Sequence, residues 1–311
     1  MAPLDHAAAP PGASRIGEIV AALRELRVKS HRTRYGDAPL PDLPSKSATA
    51  AIIDGLVAAM FPRHFGPPGL LGESIDGFVA FAVTTALQSL EKQVRLELEL
   101  TAHNTEAAGG DHQARAADIA GRFGDGLPTI RALLETDIRA AFEGDPAAKS
   151  LDEVISCYPG VLAIIHHRLA HGLYRLGAPM LARMVSEAAH SATGIDIHPG
   201  AEIGESFFID HGTGVVIGET TIIGRRVRIY QAVTLGAKRF ETDQAGGLLK
   251  AYPRHPIIED DVVVYAGATI LGRITVGMGS AIAGNVWLTH SVPPGSVITQ
   301  AKERSDADGG I

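Results

Sequence analysis

The sequence predicts an α+β chain, with an all-α N-terminal helical domain followed by a C-terminal parallel β-helix of hexapeptide repeats, and three observations carry that reading. Apolar residues recur at helical spacing before Gly194, and aliphatic residues recur every six positions after it. Glycine makes up 35 of the 311 residues and is concentrated in the second region, where positions 194–295 hold 16. Neither the 3.6 period of a helix nor the 2.0 period of a simple strand gives a step of six, so short strands must be separated by regularly placed corners.

Taken in order, Met1–Ser14 is rich in Ala and Pro and reads as a flexible arm (1–14). Helices are expected at Ile16–Val28, Ser47–Phe61, Ser74–Leu100, His112–Phe123, Pro128–Phe142, Leu151–Cys157, Gly160–Leu176 and Pro179–Ala192, within a helical domain at 15–193. From Gly194 the step of six takes in Ile197, Ile203, Ile209, Val215, Thr221, Val227 and Val233. It resumes at Ile258, Val264, Ile270, Val276, Ile282 and Leu288, so all but Thr221 are aliphatic. Three hexapeptides make one triangular coil of about 18 residues, with aliphatic side chains inside and small residues near the corners. The interval from Val233 to Ile258 breaks the step, so a loop at 238–252 must leave the prism at 194–297; 298–311 reads as a flexible tail.

Composition bounds the function. With 28 Lys and Arg against 35 Asp and Glu, the net charge of −7 gives no broad cationic footprint for nucleic acid or an anionic membrane. Cys157 alone makes neither an intramolecular disulfide nor a cysteine-based zinc site, and no apolar run is long enough for a membrane span, so a cytoplasmic location is expected. His167 and His171 stand four apart on a helix face but lack a third ligand in sight, so no metal is expected. No P-loop or Rossmann glycine pattern is present.

Four segments carry more specific chemistry: Gly194-Ile195-Asp196-Ile197-His198-Pro199, then 209–219 from Ile209-Asp210-His211-Gly212 to Glu219, then Gln231-Ala232-Val233-Thr234-Leu235-Gly236, then Arg254-His255-Pro256. Together they resemble the serine O-acetyltransferases, hexapeptide-repeat enzymes of cysteine synthesis, and the likeness runs from Asp145 to about Pro294. Activating a serine hydroxyl for attack on a thioester calls for a general base, and His211 is the candidate. Asp196 precedes it by a little less than one coil, where a carboxylate would fix the imidazole and stabilise its charged form. It is also suited to an Asx-type corner bond. The resemblance implies the His211–Asp196 pairing, a left-handed β-helix, and recognition of the serine ammonium by Asp145 and Asp210. It further implies that Arg254 binds the serine carboxylate and His255 its polar groups, with Glu219 in support. Acetyl-CoA as co-substrate is implied in a groove matching Gly236, Ala237, Ala266, Gly267 and Gly284, whose smallness also suits plain corner geometry.

The same likeness implies a homotrimer or a dimer of trimers, L-cysteine as feedback inhibitor, and docking of the C-terminal Ile311 into O-acetylserine sulfhydrylase. The first ~110 residues do not align with short members, the loop before Arg254 is longer, and the usual closing segment after Val297 is missing. Competing readings are another hexapeptide acetyltransferase, a trimeric zinc carbonic anhydrase needing three converging His ligands, and a non-catalytic scaffold for a sulfhydrylase.

Overall fold

A computed structural model describes residues 13–36, 42–105, 110–243, 246–250 and 252–300. Most of the N-terminal arm, the C-terminal tail from 301 and Ile311 lie outside the described residues. Among the described residues eight helices precede the strands: α1 (Ala13–Tyr35), α2 (Lys46–Met60), α3 (Pro62–Phe65), α4 (Glu73–Thr105), α5 (His112–Gly144), α6 (Leu151–Cys157), α7 (Pro159–Leu176) and α8 (Pro179–Thr193). Local chemistry sets several starts. Ser45, Asp111 and Ser150 accept the N–H groups of Ala48, Ala114 and Glu153 as N-caps, and Pro159 and Pro179 open α7 and α8. Gly194 closes α8 with φ +69, a left-handed cap that any side chain would strain.

The sequence reading placed two helices where α5 runs unbroken through Pro128. Proline removes one helical hydrogen bond, but Phe123, Leu127, Leu134 and Ile138 on both sides of it are buried, and their packing outweighs that loss. Gly124 lets α4 approach closely, since a Cβ there would meet Leu87 Cδ1 at 2.8 Å.

The strands form three parallel faces. The first stacks Asp196–Ile197, Val216–Ile217, Thr234–Gly236, Thr269–Leu271 and Trp287–Leu288. The second stacks Glu202–Ile203, Ile222–Ile223, Ile257–Ile258 and Thr275–Val276, and the third Phe208–Ile209, Arg228–Ile229, Val263–Val264, Ala281–Ile282 and Val297–Ile298. Two columns fill much of the interior: a strand's second residue, such as Ile217, Ile223, Ile229 or Leu235, and the residue two before it, such as Val215, Thr221, Val227 or Val233. Full burial of each aliphatic side chain contributes about 1.5–3 kcal/mol.

These columns correct the register expected from sequence. The step-of-six series follows strand positions up to Ile209, then passes to the second column at Val215, because the interval from Ile209 to Ile217 exceeds the regular step by two positions. Asp196 pairs with Val216 and Val216 with Thr234, so the first turn of the coil is two positions longer than the next. Thr234 pairs with Thr269, nearly two turns away along the chain, and the surplus is extruded as the loop before Arg254. The two extra positions of the first turn fall in the corner that carries His211.

Corners differ in kind. Those entering the first face use Gly194, Gly214, Ala232, Gly267 and Asn285 at positive φ, and those entering the third use Ser206, Arg226, Asp261, Gly279 and Gly295. The corner between the first and second faces has no positive φ at Gly200, Thr220, His255 or Arg273, and in its uppermost layer Gly272 takes φ +92. Helices and coil share one buried core, tied by the Asp137–Arg168 pair. Arg168 donates to both Asp137 oxygens at 3.0 and 3.1 Å and to the carbonyls of Ile203 and Gly204, while Asp137 accepts the N–H of Phe207 at 2.9 Å. Breaking such a buried pair from one side costs about 3–5 kcal/mol.

Candidate active site

The expected site residues fall on two corners, one at each edge of the first face. At the edge shared with the third face stand Asp145, Asp210 and His211. Asp145 follows α5 as its C-cap, where one oxygen accepts the N–H of Ala147 at 2.8 Å and the other the hydroxyl of Tyr158 at 2.5 Å. The Tyr158 hydrogen bond, then the Ala147 bond, hold Asp145 below the usual carboxylate range, and the same contact pushes Tyr158 up to about 12. Asp210 accepts from Arg228 Nη2 at 2.8 Å, and the Arg228 guanidinium lies 5.0 Å from the Phe208 ring centre and 4.8 Å from that of Tyr230. His211 has φ +59 in the lengthened corner, a conformation His tolerates better than most residues. Its side chain is 71% exposed, with Nδ1 3.8 Å from Asp210 Oδ1. A base, two carboxylates and open space are thus in one place.

At the edge shared with the second face stand Glu219, Arg254 and His255. Arg254 donates to Glu219 at 2.5 Å and to the carbonyl of Tyr252 at 3.3 Å, and Tyr174 of α7 donates to the other Glu219 oxygen at 3.2 Å. Burial raises the Glu219 pKa, but the hydrogen bond and charge of Arg254 outweigh it and leave the group lowered. Thr220 organises the turn: its hydroxyl oxygen accepts the N–H groups of Arg254 and His255, and its own N–H donates to His255 Nδ1 at 3.1 Å. The ring proton of His255 therefore sits on Nε2, which leaves that atom a donor on a neutral imidazole. Burial, then Arg254, lower the pKa of His255 to about 4. The ring lies directly on Gly218, where a Cβ would come 2.0 Å from Cδ2 and 2.2 Å from Nε2.

The acetyl-CoA positions divide the same way. Ala266, Gly267 and Gly284 stack above Thr213 and Gly214 on the His211 corner, through Ala232 N–H to Thr213, Gly267 N–H to Gln231 and Asn285 N–H to Ala266. Gly236 follows Leu235, the partner of Ile217, so Gly236 and Ala237 stack above Gly218 and Glu219 on the other corner. The whole first face separates the two groups within one chain. Asp196 starts the first strand of that face. Its carboxylate, Glu187 and His190 offer ligand atoms within 4.8 Å of one another, and no hydrogen bond between Asp196 and His211 is formed among the described residues. His167 is buried with Nδ1 unpartnered, and His171 Nδ1 contacts the carbonyl of Pro199 at 2.9 Å.

Sequence reasoning missed Tyr158, Tyr174, Gly218, Thr220 and Arg228. Tyr158 precedes the Pro159 that opens α7, a position that signals a helix start rather than a ligand. Gly218 carried a signal, because a glycine outside the positive-φ corners marks a close approach.

No protein-family model matches the chain. A serine acetyltransferase encoded on a plasmid of Synechococcus elongatus is 56% identical over 275 residues, covering 86% of this chain and 86% of that protein. Among solved structures, serine acetyltransferase 1 of Entamoeba histolytica in complex with L-cysteine superposes with a TM-score of 0.70 at 34% identity, over 91% of this chain and 97% of that one. The Neisseria gonorrhoeae serine acetyltransferase in complex with serine gives 0.52 at 27% identity, over 81% and 94%. With a three-faced coil shared with these structures and 56% identity to a relative over 86% of both chains, extending into the helical region, the chain belongs to the serine acetyltransferases.

Proposed function

We propose that the chain transfers the acetyl group of acetyl-CoA to L-serine at a site completed by a second copy, with His211 as general base. The observation that carries this reading is the division of the site across the first face. That face is uncovered and presents Val216, Thr234, Thr269 and Trp287 outward, with Trp287 62% exposed. Three left-handed coils packed face to face around an axis would set each His211 corner against the Arg254 corner of the next copy. Such a homotrimer, alone or paired as a dimer of trimers, brings Gly236 and Ala237 opposite Ala266, Gly267 and Gly284 as the two walls of an acetyl-CoA groove.

In the assembled site Asp145 and Asp210 receive the serine ammonium, Arg254 its carboxylate through donors not used by Glu219, and His255 Nε2–H a serine oxygen. His211 takes the hydroxyl proton as serine Oγ attacks the thioester carbon, whose π pair moves onto the carbonyl oxygen. Collapse of the tetrahedral intermediate expels the CoA thiolate, which recovers the proton from His211. No covalent enzyme intermediate is required. We assign Asp196 to the His211 imidazolium on the family resemblance and Asp210 to the amine on position. Asp196→Asn is then expected to lower kcat and Asp210→Asn to raise the serine KM.

We also infer that L-cysteine, bound in the Entamoeba relative, competes for the serine groups, and that the tail docks a sulfhydrylase through Ile311. The decisive test mixes two variants that are each nearly inactive at low serine, His211→Asn and Arg254→Gln. Random reassembly should restore about a quarter of the sites, read as serine-dependent CoA release. A mixture that stays inactive would show each site to be built within one chain.

A further inference from the structure

We propose that Tyr174 is a positioning residue: its hydroxyl, acting through Glu219, aims the Arg254 guanidinium at the carboxylate of the amino-acid substrate. The proposal rests on the assignment of Arg254 to the serine carboxylate and adds what holds Arg254 in place.

Arginine on a loop is an imprecise ligand, because a long side chain must give up rotamer freedom before it can make a directed contact. Arg254 lies between the extruded loop and the strand that opens at Ile257, outside any ladder. Its geometry is set by side chains of the coil instead. Its N–H bonds Thr220 Oγ1 at 2.9 Å, and its Nη2 bonds Glu219 at 2.5 Å. Glu219 is itself flexible unless its other oxygen is held, and Tyr174 holds it at 3.2 Å. Two further contacts fix this relay. The Tyr174 ring meets His198 edge to face at 5.8 Å and 81°. Gly200 lies close to Glu219 and His198, where a Cβ would be 3.0 Å from the Glu219 carbonyl oxygen, 3.1 Å from His198 Nδ1 and 3.2 Å from Glu219 Cγ. Tyr174 belongs to α7, the helix whose Arg168 locks onto the first coil, so the relay refers Arg254 to a helix firmly anchored on the prism. Glu219 also offsets part of the guanidinium charge and thereby leaves a directed donor edge rather than an unspecific cation.

The test is steady-state kinetics of the full chain with serine and acetyl-CoA varied separately. Removing only the hydroxyl, Tyr174→Phe is expected to raise the serine KM about 5–10-fold, the scale of one net hydrogen bond. The acetyl-CoA KM and kcat should move less than about twofold. Gly200→Ala, which presses on Glu219 and on the His198 ring that packs against Tyr174, should raise the serine KM in the same direction and serves as the second route should Tyr174→Phe fold poorly. The coupling is read in a cycle with Arg254→Gln: once Arg254 is gone, Tyr174→Phe should add no further loss. A Tyr174 that merely packs α7 on the coil would instead cost the same in both backgrounds and lower the melting temperature. An unchanged serine KM in Tyr174→Phe, with Arg254→Gln strongly raised, overturns the positioning role alone. An unchanged serine KM in Arg254→Gln overturns the assignment of Arg254 and the relay with it.

Discussion

His211 stands on a lengthened corner, with positive φ and a side chain 71% exposed. His255 closes the corner that follows the extruded loop, 7% exposed, with both its ring and its backbone tied to Thr220. Each histidine has an arginine and a carboxylate close by, yet one corner is open and the other is finished. A corner whose partners all come from one chain can be rigid before any ligand arrives. The open corner leaves His211 reachable, and in the proposed assembly it gains its second wall from the next copy. The contrast explains why the first turn, from Asp196 to Val216, is longer than the next, from Val216 to Thr234. The extra pair of positions lifts His211 out of the stack, where a regular step would have laid it against the face.

The largest effect should come from breaking the open corner. His211→Asn keeps a residue that tolerates the left-handed conformation, so folding should persist while kcat/KM falls about 10³-fold, the loss typical of a missing general base. Circular dichroism and CoA-release rates check both halves. Retention of more than a tenth of the activity would remove His211 from the reaction.

Next comes the face between the corners. Trp287→Asp places a charge on the surface we assign to copy–copy packing, and sedimentation should show the assembly dissociating with activity lost in parallel. A monomer of full activity would refute the divided site. Gly218→Ala then breaks the finished corner. With its Cβ 2.0 Å from the His255 ring, the ring must swing away: overpacking of this kind costs about 1–3 kcal/mol of stability, and kcat/KM for serine should fall about 10-fold or more as His255 leaves its place.

Much of this was legible in the sequence, and the misreadings are instructive. The aliphatic step of six announced the prism because the interior admits mostly such side chains. It misplaced the register because two buried columns, two positions apart, look alike in sequence: Val215 and Ile217 are both aliphatic and both buried. The same slip underlies the Asp196–His211 argument. In sequence the pair seems only slightly short of one regular coil, whereas the ladder partner of Asp196 is Val216, well past His211 and across the lengthened corner. Asp145, Asp210, Arg254 and His255 are expected from the resemblance as one set, whereas their division between two corners needs the face assignment, which spacing across a long excursion does not supply. Tyr158 and Tyr174 were illegible because nothing local distinguishes a helix-packing tyrosine from one whose hydroxyl holds a carboxylate.

The smallest effect belongs to those hydroxyls and to pH. His255, with a pKa near 4, is neutral throughout the working range, so His255→Asn should lower kcat/KM without moving the acid limb of its pH profile. Its folded pKa lies below the unfolded value, so the folded state binds fewer protons, and its contribution to stability rises with pH between about 4 and 6.5 and is lost as pH falls through that window. Asp145 responds with the same sign from a different cause. The Tyr158 hydroxyl favours its ionised form, so the carboxylate stays charged to lower pH than an ordinary one, and its contribution is lost only as pH falls through that lowered pKa. Tyr158→Phe should therefore leave the serine KM within about threefold at neutral pH and raise it progressively more below the ordinary carboxylate range, as Asp145 protonates and releases the ammonium. A KM ratio of variant to parent that stays flat with falling pH would mean that Tyr158 only packs, and that the open corner holds its carboxylate without help.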